Sequence, residues 1–345
     1  MGRAYGDPAL DALLLPFADG GLPRVPGALF LRARAGAALQ PADWPGLHCE
    51  QGWKPAADAL ARSGFDVQAT AGDSRHPLVL VLPPRQRDEA RALIGEAFAR
   101  AAPGGTVIAA MANDAGAKSG ETDFARIAGA PSVRSKHKCR VFWASADVAD
   151  TALIAQWRSL DAPRAIGASG VVSRPGVFAW DRVDAASALL AAHLPADLAG
   201  RVADLGAGWG FLAMEVLRRC GAVTAIDLYE AEVRALELAR HNLGAFDGRA
   251  ALGFHWHDVA TGVPGTYDAV VSNPPFHGLD GRDQPALGRA FIASAASALR
   301  PGGRLLMVAN RHLPYEQALT EAFAEVRTLA QDGGFKIVEA RKAGR

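Results

Sequence analysis

The sequence predicts two tandem α/β domains with mostly parallel sheets, the N-terminal one a degenerate copy of the C-terminal one. A buried strand runs into a Pro-Pro pair twice, over residues 76–84 and 268–275. A Pro-Gly-Gly turn leading into an apolar strand and an Asn also occurs twice, over residues 103–113 and 301–310. Only the second half carries a glycine-rich loop. These repeats indicate a duplication in which one copy lost its ligand loop.

Length and composition agree with this division. A chain of 345 residues is long for one domain, and half of its residues are hydrophobic, enough for two cores. The 37 Lys and Arg nearly balance the 36 Asp and Glu, which argues against a protein that coats nucleic acid by net charge alone. Three cysteines without metal or redox spacing, and no long apolar segment, favour a cytoplasmic protein with reduced thiols. We expect domains at 1–165 and 171–345.

The N-terminal half contains the elements of an α/β layer but no ligand loop. After a helix-forming start, apolar runs at residues 28–31 and 65–67 predict strands. The strand before the first Pro-Pro pair is followed by a predicted helix over residues 88–101. Residues 139–143 then form the predicted last strand, as residues 335–339 do in the second half.

The C-terminal half is organised around a strand, a glycine loop and a helix. The strand ends in Asp204, the loop contains Gly206, Gly208 and Gly210, and residues 211–219 show the apolar spacing of a helix. Glycines allow a ligand to lie against the main chain without meeting a Cβ atom, and they allow positive φ. An ordinary strand-to-helix turn is the alternative, but a second acid-ended strand follows and favours a ligand site.

The acidic residues indicate which ligand the loop holds. Asp204 would repel the pyrophosphate of a dinucleotide, but it would attract the ammonium and sulfonium of S-adenosylmethionine, which has no phosphate. A second strand, ending in Asp227, offers a carboxylate to the ribose hydroxyls. Asp258, after a third strand, can accept from the adenine amino group. The neighbouring His-x-His pair has no further Cys or His ligand nearby, so we expect no metal.

The motif Asn273-Pro274-Pro275-Phe276 predicts the reaction. It follows the strand over residues 267–272, whose end should lie beside the glycine loop. The prolines fix the backbone, so that the Asn273 side-chain oxygen and the Pro274 carbonyl can accept from one amino group. Phe276 would stack on the ring that carries it. A proline-rich turn is the alternative, but beside a glycine loop the motif favours amino-nitrogen methylation.

With these motifs, the second half resembles the ribosomal RNA guanine-N2 methyltransferases, most closely the 16S ribosomal RNA small-subunit methyltransferase C family. The matching residues are 175–178, 204–210, Asp227, 272–277, 308–310, 313–315, Phe335 and Lys336. The resemblance implies Rossmann-like class I methyltransferase domains with seven-stranded sheets, and S-adenosylmethionine as the donor. It also implies a guanine of 16S ribosomal RNA as the acceptor.

The resemblance assigns further roles. It places Phe178 over the donor as part of a lid, with simple core packing as the alternative, and it makes His277 and Lys336 substrate-binding residues. Lys336 could equally be an exposed strand lysine. The basic run at residues 134–140 could grip phosphates or blunt a sheet edge. We expect a monomer that acts on ribosomal RNA, without membrane contact.

Three alternatives remain open at this stage. A large-subunit guanine methyltransferase would carry the same motifs. An adenine or protein-glutamine methyltransferase would share Asn-Pro-Pro-Phe alone. A noncatalytic RNA-binding or assembly protein could keep the fold, although an intact glycine loop beside an intact Asn273 motif argues against it.

Overall fold

The computed structural model describes residues 6–70, 72–167, 170–275, 285–311 and 315–344. The chain divides into two compact units. Unit 1 comprises Met1–Ala162 and Arg174–Gly176, and unit 2 comprises Pro163–Ser173 and Val177–Arg345.

Unit 1 is built around a seven-stranded sheet. Its strands are β1 (Leu29–Leu31), β2 (His48–Glu50), β3 (Val67–Gln68), β4 (His76–Val81), β5 (Ala101–Ala112), β6 (Ser132–Lys136) and β7 (Cys139–Ser145). Its helices are α1 (Pro8–Ala18), α2 (Lys54–Arg62), α3 (Arg87–Ala99), α4 (Ala117–Ala128) and α5 (Thr151–Arg158). The strand order is β3-β2-β1-β4-β5-β7-β6.

Unit 2 begins with a small two-stranded sheet, β8 (Arg164–Ala165) and β9 (Val172–Ser173). The strands of its main sheet are β10 (Ala199–Leu205), β11 (Ala222–Glu230), β12 (Ala251–Trp256), β13 (Tyr267–Ser272), β14 (Leu299–Asn310), β15 (Glu325–Asp332) and β16 (Phe335–Arg341). Its helices are α6 (Ala185–Ala192), α7 (Phe211–Arg219), α8 (Val233–Leu243), α9 (Pro285–Ala298) and α10 (Glu316–Ala322). The strand order is β12-β11-β10-β13-β14-β16-β15.

The two main sheets have the same topology. In each, the first five strands in the chain are parallel, and the last two form an antiparallel hairpin at one edge. The central strands are buried apolar runs, as expected of parallel strands covered on both faces. The prediction of two tandem α/β domains with seven-stranded, mostly parallel sheets is confirmed.

Helix α7 shows why the sequence around the glycine loop folds as it does. Leu212, Val216 and Leu217 are buried on one face, whereas Arg218 and Arg219 end the helix on the exposed side. Cations in the last turn also favour the negative end of the helix dipole. The packed face fixes the direction in which the preceding loop leaves the sheet.

Three strands depart from the sequence expectations. Strand β3 covers Val67–Gln68 instead of residues 65–67. Strand β2 has only three residues, too short for an alternating pattern to be recognised. Strand β11 runs to Glu230 instead of ending at Asp227, because it stays paired with β12 up to Glu230 and Trp256. Within the described ranges, no helix has the length and apolar character needed to cross a membrane.

Candidate active site

The glycine loop and the Asn273 motif begin side by side. Strands β10 and β13 are parallel neighbours, with Leu205 level with Ser272. The Ser272 hydroxyl donates to the Leu205 carbonyl oxygen over 2.7 Å, which ties the two strand ends together. The next residues, Gly206 and Asn273, therefore start their loops at the same level of the sheet, at its carboxyl edge, where ligands of α/β folds bind.

A cavity opens at this edge within unit 2. The lining comes from the segment before α6, from α6 itself, from the glycine loop, from the start of α7 and from the Asn273 motif. The lining residues are Phe178, Ala179, Asp184, Ser187, Gly206, Ala207, Gly208, Trp209, Phe211, Leu212 and Asn273. The structure thus brings Phe178, two of the predicted glycines and Asn273 to one cavity.

The loop needs glycine for two separate reasons. Gly206 has φ +75°, and a Cβ atom there would lie 3.3 Å from the buried ring of Phe291. Gly210 has φ +91°, and its Cβ would lie 2.6 Å from Leu243, so that α7 could not pack as closely on α8. Both positions combine a left-handed conformation with restricted space, which makes other residues costly.

Two buried carboxylates lie behind the loop. Asp204 is fully buried, and its Oδ2 accepts from the Ala213 amide at the start of α7 over 3.0 Å, whereas Oδ1 has no hydrogen-bond partner among the described residues. Burial, together with the charge of Glu230, raises the pKa of Asp204 to about 7. Asp204 does not line the cavity. Its carboxylate therefore supports the loop from below.

Glu230 is the acid that the sequence analysis missed. It ends β11, is 8% exposed, and its Oε2 accepts from the Gly208 amide over 2.7 Å. Its Oε1 accepts from the Glu232 amide over 2.8 Å. Burial raises the pKa of Glu230. A signal was present in the sequence, because Glu230 stands three residues before α8, where the strand has to end.

The expectation of a strand ending at Asp227 is wrong, since this residue lies inside β11. Its carboxylate accepts from Arg201 Nη2 over 2.8 Å and from the Tyr267 hydroxyl over 3.0 Å, and it pairs with His255 Nε2 over 3.1 Å. Burial acts to raise the pKa of Asp227, but the bonds from His255, Arg201 and Tyr267 outweigh it and lower the pKa. Neither Asp227 nor Glu230 is among the residues that line the cavity, but Glu230 binds the amide of Gly208, which is.

The Asn273 side chain is held at the cavity wall by α6. Its Nδ2 donates to Asp184 Oδ2 over 3.0 Å and to the Ser187 hydroxyl over 2.8 Å. Pro274 is buried and Pro275 is half-buried directly after it. Phe276 and His277, to which we assigned the acceptor ring and the substrate, lie outside the described residues.

The remaining predicted residues are spread around this site. Phe178 is 66% exposed at the cavity, so the core-packing alternative does not apply to it. Asp258 follows β12 and accepts from the Ala260 amide over 3.0 Å. Lys336 is only 7% exposed and forms an ion pair with Glu316 at the start of α10. The alternative of an exposed strand lysine is therefore wrong for Lys336.

The basic run of unit 1 forms the hairpin between β6 and β7. Arg134 pairs with Asp19, and Arg140 pairs with Glu121, so that two of its charges are balanced. The exposed residues at the turn are Lys136, His137 and Lys138. Its available positive charge is thus concentrated at the tip of the edge hairpin.

Comparison with known proteins identifies the family. The family model of the methyltransferase small domain matches residues 168–339. A ribosomal RNA small subunit methyltransferase C of Pseudomonas aeruginosa (strain LESB58) is 33% identical over 288 residues, which are 82% of this chain and 83% of the relative. A ribosomal RNA large subunit methyltransferase G of Alcanivorax borkumensis is 36% identical, but over 47% of this chain and 42% of its own length.

Among solved structures, a T. thermophilus 16S rRNA N2 methyltransferase in complex with AdoMet and guanosine superposes with a TM-score of 0.80. The match covers 99% of this chain and 93% of that one at 24% identity, which establishes a shared fold over both units. Sequence identity over most of the chain, the matching domain model and the paired loops of unit 2 lead to one conclusion. The chain belongs to the ribosomal RNA small subunit methyltransferase C family.

Proposed function

We propose that this protein transfers a methyl group from S-adenosylmethionine to the exocyclic N2 amino group of a guanine in 16S ribosomal RNA. The observation that carries the proposal is the meeting of Asn273 with the Gly206–Gly208 backbone in one cavity. Family membership supports the choice of small-subunit RNA, because relatives that match over most of the chain bear that name.

The residues around the cavity fit a cationic nucleoside donor. Gly206 and Gly208 leave the main chain open, while Asp204 and Glu230 place two buried carboxylates behind it. A positively charged ligand beside the loop would favour the ionised form of both carboxylates, whereas a phosphate would disfavour it.

We assign the ribose hydroxyls to Glu230 and not to Asp227. Glu230 stands at the strand end and already binds the Gly208 amide, whereas Asp227 is engaged by Arg201, Tyr267 and His255. Phe178 would cover the donor from the exposed side of the cavity. Asp258 keeps its predicted role at the adenine amino group.

When bound, S-adenosylmethionine supplies a methyl group on a sulfonium, which is reactive toward an amine lone pair. The guanine amino group is a poor nucleophile because its lone pair is delocalised into the ring. Asn273 Oδ1 and the Pro274 carbonyl oxygen accept its two N–H bonds, which favours the pyramidal form and aims the lone pair into the cavity. The methylated nitrogen is acidic enough to release its proton to water, so no strong base is required.

Mapping of methylated guanosines tests this function. The chain is expressed in bacteria that lack their own small-subunit guanine-N2 methyltransferases, and both ribosomal RNAs are digested and analysed by mass spectrometry. We expect N2-methylguanosine at a single position of 16S ribosomal RNA. Asn273→Ala should lower its rate of formation by about 10²-fold, the scale for loss of one preorganised polar group. Methylation of the large-subunit RNA, of adenine, or at full rate by Asn273→Ala would contradict the proposal.

A further inference from the structure

The orientation of the Asn273 amide is fixed by its partners. Asp184 Oδ2 accepts from the Ser187 amide, and the Asn273 atom that lies 3.0 Å from the same oxygen is the amide nitrogen, which can only donate. The Ser187 hydroxyl accepts the second Nδ2–H over 2.8 Å. Both protons of the amide nitrogen are therefore bound on the α6 side. Among the described residues, the amide oxygen is left without such a partner and can accept from a donor in the cavity that Asn273 lines.

Asp184 also builds the helix that carries Ser187. It is the N-cap residue of α6, and its Oδ2 accepts from the Ser187 amide over 2.8 Å. The same oxygen thus serves the helix start and the Asn273 side chain. Since Ser187 is 8% exposed and sits in the first turn of α6, its hydroxyl is held in place by the capped helix. Asn273 is braced by a rigid element.

Comparison with unit 1 shows which of these side chains is needed to cap the helix and which is needed to bind Asn273. Helix α1 corresponds to α6, and its N-cap residue Asp7 accepts from the Ala9 and Leu10 amides in the same way. Leu10, three residues after the cap, stands where unit 2 has Ser187. The capping carboxylate is thus present in both units, but the hydroxyl occurs only in unit 2.

The residue that follows the fourth strand, β4 in unit 1 and β13 in unit 2, also differs between the units. Leu31 is level with Val81 in unit 1, as Leu205 is with Ser272 in unit 2. Leu82 therefore occupies the position of Asn273. Where the amide is replaced by an apolar side chain, the hydroxyl that binds it is replaced as well. A helix cap alone explains Asp184, but it does not explain Ser187.

We propose that Asp184 and Ser187 are positioning residues for Asn273, holding its amide so that Oδ1 faces the amino group to be methylated. This inference rests on the proposed function. Without the pair, a rotated amide would point its NH₂ group at the substrate amino group, and two donors would oppose each other. The Asp184 charge also polarises the amide and makes Oδ1 a stronger acceptor as positive charge develops on the nitrogen.

Single-turnover methyl transfer by the full-length chain tests the pair. The substrate is small ribosomal subunits from cells lacking the modification, with S-adenosylmethionine at saturation. Ser187→Ala and Asp184→Asn should each lower the rate constant by about tenfold, the effect of losing a bond to a charged or preorganised group. Ser187→Thr keeps the hydroxyl and should restore the rate to within about threefold of the parent. Asparagine caps helices as well as aspartate does, so Asp184→Asn isolates the charge.

A double-mutant cycle distinguishes positioning from a merely structural role. In the Asn273→Ala background, Ser187→Ala should cost less than about twofold, because the residue through which it acts is gone. The matched control is Asp7→Asn, which alters the equivalent cap in unit 1 and should leave methyl transfer unchanged. Donor affinity is measured separately by calorimetry, and because the rates are taken at saturating S-adenosylmethionine, a change in donor affinity does not enter the comparison.

The outcomes separate the two hypotheses. If Asn273→Ala methylates at the parental rate, the proposed function fails. If Asn273→Ala is slow but Ser187→Ala has no effect, or costs the same factor in both backgrounds, the positioning inference is overturned while the proposed function stands. A loss in Ser187→Ala that Ser187→Thr does not restore would likewise overturn it.

Discussion

The two units share one sheet topology, yet the residues at the ends of equivalent strands differ. The paired registers of β1 with β4 and of β10 with β13 make Arg32 equivalent to Gly206. Arg32 has φ +53° and Gly206 has φ +75°, so both take the left-handed conformation. This conformation costs an arginine about 1–2 kcal/mol. The left-handed backbone at this position is therefore a feature of the shared fold, whereas the absence of a side chain at Gly206 is a feature of the site in unit 2.

The acid behind the loop shows the same division. Leu31 is level with Glu50 and Leu205 with Tyr229, which makes Gln51 the equivalent of Glu230. Gln51 and Glu230 each accept from the amide two residues ahead, over 2.8 Å. The second group of Gln51 donates to the Ala33 carbonyl, where Glu230 accepts from the Gly208 amide. The Gln51 side chain of unit 1 therefore contacts its loop as Glu230 does in unit 2, but without a carboxylate.

The α/β fold does not need polar side chains at the positions of Asp204 and Asn273. Phe30 and Leu82 stand where unit 2 has Asp204 and Asn273, and both are fully buried. Burying apolar side chains avoids the cost of dehydrating polar ones. Unit 2 carries that cost at the same positions, as expected where a ligand has to be bound and oriented.

The largest effect is expected from moving the unit 1 arginine into unit 2. Gly206→Arg would put a Cβ atom 3.3 Å from Phe291 and a long side chain on a residue that lines the cavity, so the loop would have to move. We expect no measurable binding of S-adenosylmethionine by calorimetry, whereas the parent chain binds one equivalent. The reverse change, Arg32→Gly, is the control and should leave the stoichiometry at one. Donor binding by Gly206→Arg within about threefold of the parent, or two equivalents on the parent, would break the comparison.

A smaller effect is expected from moving Gln51 into unit 2. Glu230→Gln is nearly isosteric but removes the charge, so donor affinity should fall about tenfold, as for loss of a charged hydrogen bond. Asp227→Asn should change donor affinity less than about threefold but lower the melting temperature, because its bonds to Arg201 and His255 weaken. Calorimetry measures the donor affinity, and thermal unfolding measures the melting temperature. If Asp227→Asn lowered the donor affinity about tenfold while Glu230→Gln left it unchanged, the ribose contact would belong to Asp227.

The smallest effect concerns the pH dependence of stability. The pKa of Asp204 is 3.8 in the absence of the fold and about 7 within it. Between these values the folded chain binds more protons than the unfolded chain, so this residue makes stability fall as pH rises from about 4 to about 7. The slope is at most about 1.4 kcal/mol per pH unit, and it vanishes above the folded pKa.

Asp204→Asn removes this titration and keeps an oxygen for the Ala213 amide. The melting temperature of the variant, relative to the parent without ligand, should therefore rise between pH 5 and pH 8. Phe30 gives unit 1 no titrating group at the equivalent position, so Phe30→Leu should shift the melting temperature equally at both pH values. A parallel shift for Asp204→Asn would show that its carboxylate is ionised at pH 5.

Much of unit 2 could be predicted from the sequence because its signals are local. The apolar spacing that predicts a helix over residues 211–219 is matched by α7, and the strand over residues 267–272 is matched by β13. The duplication was visible because Pro-Pro and Pro-Gly-Gly punctuate both halves at equivalent places. Family membership followed from the same motifs, and it is confirmed.

The predictions that failed depended on where a strand ends. Asp227 is the first acid after an apolar run, but whether a strand continues past it depends on its neighbour. Here β11 stays paired with β12 as far as Glu230. The carboxylate that reaches the glycine loop is therefore that of Glu230, three residues after Asp227. The sequence also left two roles for Lys336, a substrate-binding residue or an exposed strand lysine, because its burial depends on a neighbouring element. Its burial against Glu316 depends on α10, which is remote in the sequence pattern.

The sequence by itself determined the elements, the duplication and the residue types at the carboxyl edge, because periodicity and turn residues act over a few neighbours. Only the tertiary structure decided which carboxylate reaches the loop, since that depends on the register between strands distant in the chain. It also decided that Asp184 and Ser187, nearly ninety residues before Asn273, hold its amide over 3.0 Å and 2.8 Å. Such contacts leave no local pattern, because the sheet brings the segments together.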